Sequence, residues 1–142
     1  MKCRWLLAIV AAMVFSALPS FSQSTGDITP PANFKKVSTL VRLPDWLPGL
    51  GTLYVDPATL PAGPYAGYNH KGELVNLIYM IPIKDFTEHK NHEDLGEALA
   101  HLGLKVDHTS VEYNPGHPGL QVPHYHFIEW FITPAQEKAE MK

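Results

Sequence analysis

Cysteine is almost missing from this chain of 142 residues, which holds one, Cys3. It stands ahead of an N-terminal apolar run, where a lipid-attachment cysteine would not be. It falls within the stretch that reads as a signal peptide, so the expected mature chain has no disulfide and no thiol chemistry. Long hydrophobic runs are also scarce. The only one, "WLLAIVAAMVFSAL" from Trp5 to Leu18, has about 14 residues, short of the roughly 20 that span a bilayer. Several signatures are absent altogether: the G-x-S-x-G elbow, H-E-x-x-H, and a glycine loop for phosphate. No basic cluster is visible, and the formal charge is −3 with histidines neutral. Such a surface does not suit nucleic-acid phosphates. There is no internal repeat and no low-complexity tract.

What is present begins with the N-terminus. Lys2 and Arg4 form a short basic region before the apolar run, and Pro19, Ser20 and Ser22 follow it. That is the layout of a secretory signal peptide over residues 1–22. It implies an exported protein, periplasmic or secreted, that is not inserted in a membrane after cleavage. The remaining chain of about 120 residues carries a charge near −5 and makes one domain of ordinary size. All eight histidines stay with it.

Residues 23–36 read as a loose polar lead-in, 37–133 as the globular domain, and 134–142 as a charged tail that frays. Thirteen prolines and ten glycines favour short elements and stiff loops. "VSTL" begins as strand-like chain before Pro44 and Pro48, and Thr52 to Asp56 reads as a short strand. "YAGYNHKGELVNLIYMIP" is a hairpin turning at Asn69 to Gly72 and ending at Pro82. One helix is expected, from Asn91 to Leu102, capped by Asn91 and ended by Gly103, with Leu95, Ala98, Leu99 and Leu102 as its apolar stripe. Two further strands, Lys105 to Tyr113 and Val122 to Thr133, are joined by "NPGHPGLQ". The expected fold is α+β, mostly antiparallel sheet with one packed helix.

Within "VPHYHFIEWF" the strand period puts His124 and His126 on one face, their β-carbons roughly 6 to 7 Å apart. Neutral imidazoles at that spacing suit zinc or copper. His117, in the loop entering the strand, is the nearest third ligand. His108, on the preceding strand, is expected as a fourth ligand or as a partner that orients one. The neighbouring Asp107 faces the other way. A surface pair contributing only area and a hydrogen bond is the plain alternative. Glu129 suggests the His-x-His-plus-Glu pattern of cupins, which would make an enzyme. Its odd offset from His126, however, sends it to the opposite strand face. His89, His92 and His101 belong to the expected helix region as solvated residues, and His70 is a turn residue. Tyr125, Phe127 and Phe131 share the second face of the last strand. They point to cover on both sides, by the fold itself or by a second copy of the chain.

With "GPYAGYNHKGELVNLIYMIP", "VDHTSVEYNPGHPG" and "VPHYHFIEWF" together, the chain resembles a family of exported bacterial proteins of unknown function. The likeness runs from about Leu53 to Phe131, and "GHPG…PHYH" is its most specific part. Members often carry "PHYDxH" or a histidine after the tryptophan, where this chain has His126 and Phe131. The resemblance implies a compact exported domain with Asp107, His108, His117, His124 and His126 as its polar motif, and no established reaction. Three roles follow: a histidine-cluster metal-binding domain, a metal-free self-associating protein, and a cupin-like metalloenzyme.

Overall fold

The computed structural model describes residues 28–142. The proposed signal peptide and the start of the lead-in lie outside the described residues. Six strands form one antiparallel sheet: β1 (Lys35–Lys36), β2 (Thr52–Val55), β3 (Tyr65–Tyr68), β4 (Leu74–Pro82), β5 (His108–Asn114) and β6 (His124–Trp130). Their order across the sheet is β1-β2-β3-β4-β6-β5. Four short helices accompany them: α1 (Val37–Leu40), α2 (Ile83–Thr87), α3 (Glu97–Ala100) and α4 (Pro134–Glu140). This is the expected mostly antiparallel α+β domain.

The turn between β3 and β4 is built by Asn69, whose side-chain oxygen accepts from the amides of Lys71 and Glu73. β4 is buried on both faces for nearly its full length, so it reads as a continuous apolar run rather than an alternation. Ile78 and Met80 point into one core with Leu53, Val55, Ile128, Trp130 and Met141. Leu77, Tyr79 and Ile81 point into a second core with Phe34, Tyr68, Leu99 and Phe131. β6 lies between β4 and β5, with Ile128 and Trp130 in the first core and Phe131, just past its end, in the second. The chain's own elements therefore bury Phe131.

Three expectations change. The helix from Asn91 to Leu102 shrinks to Glu97–Ala100. Gly96 is the reason: it takes φ +80°, and a Cβ there would collide with the Tyr79 hydroxyl. Asp94 is also left-handed, and the Asn91 side chain bonds Glu93 instead of capping. The region 37–40 is a helical turn rather than a strand, and the ordered chain begins before it. Lys35 and Lys36 pair with Val55 and Tyr54, while Phe34 is buried. The tail is helical and packed where a loose segment is expected. Thr133 caps α4 in a reciprocal box with Gln136, Pro134 occupies the first turn, and Met141 is buried in the first core. Thr-Pro-x-Gln is a helix-start signal that charge counting hides.

Residues 41–50 form an apolar loop that folds over the first core. It is held by Asn76 Nδ2 to the Leu50 carbonyl (3.2 Å), Gly49 N–H to the Met141 carbonyl (2.7 Å) and Trp46 Nε1 to the Lys142 carbonyl. The C-terminus thus fixes one wall of the space beside β6. Among the described residues, no helix is long and apolar enough to cross a membrane.

Candidate functional site

His124 and His126 occupy alternate positions of β6 and point to the same side, and both are buried. A central strand provides that burial. His124 lies opposite Pro82 of β4 and Asn114 of β5, and His126 opposite Met80 and Glu112. Glu112 is exposed and stays outside the cluster.

His117 is delivered by the loop. Asn114 Oδ1 accepts from the Gly116 amide at 2.8 Å, which starts a local turn. His117 and Leu120 then exchange backbone hydrogen bonds at 3.0 Å in both directions. Between them, Pro118 supplies a fixed φ and Gly119 a positive one, +101°, the pair of central residues that a type II turn demands. Leu120 packs on the first core. The "GHPG" motif thus fixes the backbone that carries the third ring.

The three rings converge by their edges, with interplanar angles of 43° to 82°. His124 Nε2 is 3.2 Å from His117 Nε2 and 3.0 Å from His126 Nε2. Tautomers decide what these contacts are. His124 Nδ1 lies 2.7 Å from the Val122 carbonyl, and His117 Nδ1 2.9 Å from the Pro118 carbonyl. A carbonyl only accepts, so both Nδ1 atoms carry their proton. In the neutral rings both Nε2 atoms are then bare lone pairs, facing each other at hydrogen-bond distance. A proton on His126 Nε2 would satisfy His124 and leave His117 opposed. A cation between the three satisfies all of them.

Electrostatics favours the neutral, ligating form. Burial, with His124 and His117 beside it, pushes His126 down to about 4. Burial also lowers His124, against its bond to Val122, with His117 adding to the shift. Two nitrogens bound about 2.0–2.1 Å from a tetrahedral zinc lie about 3.3–3.4 Å apart, close to the separations seen here. Among the described residues this trio is the one group with metal-holding geometry, and no carboxylate joins it.

His108 is elsewhere. Antiparallel register sets it opposite Trp130, six residues along β5 from Asn114, about 20 Å at strand spacing. Its ring stacks on Trp130 and places Nδ1 3.1 Å from Asp107 and Nε2 3.2 Å from Glu137. It joins β5 to α4 and neither ligates nor orients the trio. Glu129 lies off the histidine face, where its carboxylate meets the Tyr79 hydroxyl at 3.5 Å. A single open sheet also differs from the double-sheet jelly roll of cupins, so the cupin reading fails on both counts. His92 pairs with Asp85, and His70 stacks on Trp46.

The sequence left one feature unseen. A cavity of about 280 Å³ abuts the trio, lined by His117 and His126 and mostly by aliphatic side chains from α1, the 41–50 loop, β2 and β4.

Neither a protein-family model nor a curated protein matches this chain. Among solved structures, the crystal structure of the hypothetical protein TTHB210 from Thermus thermophilus is similar, with 40% identity and a TM-score of 0.64. The alignment covers 70% of this chain and 93% of that one. The chain belongs to that protein's family. The family membership carries the fold and brings no activity with it, so the trio's chemistry has to be argued from its own geometry.

Proposed function

We propose that this protein is an exported domain that binds a transition-metal ion, zinc or copper, through the Nε2 atoms of His117, His124 and His126. One observation carries the reading. Two imidazoles whose Nδ1 protons are tied to backbone carbonyls turn their remaining lone pairs on each other at 3.2 Å. The same carbonyls are the partners that ligating histidines use to fix ring and tautomer. Export rests on the layout of residues 1–22, and it fits a site that uses no thiol. Binding, rather than turnover, is the activity proposed: the cluster's three side chains are all used as ligands in this reading.

The test is a zinc titration against a chelating competitor, on single variants. Four-ligand zinc sites bind with about 10–16 kcal/mol, so one ligand accounts for about 3 kcal/mol, or about a hundredfold. His117→Ala is expected to weaken zinc about a hundredfold, and His108→Ala to change it less than threefold. Equal losses in the two variants would overturn the assignment.

A further inference from the structure

We propose that the cavity beside the three histidines binds a small aliphatic monocarboxylate whose carboxylate completes the coordination of the metal. This rests on the metal reading above, and adds to it the class of ligand.

The size comes from the cavity. An apolar cavity of about 150 Å³ takes a benzene ring, so the present one of about 280 Å³ holds about ten to twelve non-hydrogen atoms. The tail's chemistry comes from the walls. Leu53, Val55 and Met80 present aliphatic surface. Two polar groups of the lining are already engaged: the Tyr65 hydroxyl donates to the Pro61 carbonyl at 2.9 Å, and Asn114 Oδ1 accepts from Gly116. A sugar or other polyol would set hydroxyls against aliphatic walls that offer them no partners, which is costly. An unbranched hydrocarbon tail meets no such penalty.

The head group comes from charge. Three neutral imidazoles leave a divalent ion's charge uncompensated, and the cluster contains no carboxylate of its own. Three protein ligands also leave a fourth position free. His117 and His126 line the cavity whereas His124 does not, so the cavity reaches the cluster from one side. An anionic oxygen beside these two rings joins the ion while its tail fills the apolar space. Leu40 and Leu60, 41% and 46% exposed, are among the lining residues, so the apolar space is reached from solvent past their side chains.

The experiment uses the untagged protein loaded with cobalt(II), whose visible bands report the metal's ligand set. Sodium octanoate, with ten non-hydrogen atoms, is titrated in, with sodium acetate as the head group alone and 1-octanol as the tail with a neutral head. The expected result is a saturable band change with octanoate, at a midpoint at least tenfold below that of acetate, and no band change with 1-octanol. Leu60→Asp is expected to take up cobalt as the wild type does and to raise the octanoate midpoint at least tenfold. Octanoate without effect on the cobalt-loaded protein, or no better than acetate, overturns the proposal and leaves the metal reading standing. Failure to take up cobalt overturns both.

Discussion

Zinc raises the melting temperature of the wild-type protein by about 15 °C and leaves the His124→Ala/His126→Ala variant where its chelated form melts. That is the expected result of thermal unfolding with and without metal. A ligand that binds only the folded state at about a thousand times its dissociation constant adds about 4 kcal/mol. For a domain of this size, each kcal/mol moves the midpoint by about 4 °C. Each protein must be compared with its own chelated form, because truncating two buried rings also opens space in the core, which costs stability whether or not metal binds. The informative quantity is the difference between the two shifts. Equal shifts would place the zinc elsewhere, and no shift in either would leave the trio without its ion.

The second large effect lies at the other end of the same strand. Trp130 is 1% exposed, packed in the first core with Ile78, Ile128 and Met141. Its indole N–H donates to the Ser110 hydroxyl at 3.2 Å, and its ring stacks against His108. Trp130→Ala is expected to cost about 4 kcal/mol, as large aromatic truncations in cores do. That is a large share of the roughly 5–15 kcal/mol a domain has. Ser110→Ala removes one neutral hydrogen bond and is expected to cost about 1 kcal/mol. Urea unfolding of the two variants measures both. A Trp130→Ala cost below 1 kcal/mol would contradict a β6 whose histidine-bearing face is closed by the first core.

The sequence makes some of this legible for physical reasons. The two-residue period of a strand is rigid, so His124 and His126 had to share a face, and Glu129 had to leave it. The hairpin from Tyr65 to Pro82 announces itself because Asn69 and Gly72 supply turn chemistry between apolar runs. Where the signal is not local, reading fails. A helix from Asn91 to Leu102 looks sound by periodicity, but Gly96 must pass under the Tyr79 hydroxyl, a contact made by a residue far off in sequence. The lead-in and tail look polar, yet Phe34 and Met141 each bury a side chain that composition averages away. The cavity is less legible still, because its walls come from α1, β2, β4 and two loops that only the fold brings together.

His108 is a different case, since register could have excluded it. In an antiparallel hairpin, a residue six back from the first strand's end lies opposite one six past the second strand's start. That is Trp130, not His124. The histidine is drawn toward Asp107 and Glu137 instead. His117, by contrast, is in a loop and has no register at all. Its place depends on the Pro118–Gly119 turn, a local signal, and on the ring pointing inward, which the turn alone does not decide.

The most direct test is elemental analysis of the protein, made without a histidine tag and never exposed to chelator. About one equivalent of zinc or copper per chain is expected, falling below a tenth of an equivalent in the His124→Ala/His126→Ala variant. A wild-type protein with less than a tenth of an equivalent, which also takes up none after incubation with either ion and desalting, would contradict the account. The three histidines would then be a core cluster that shares protons.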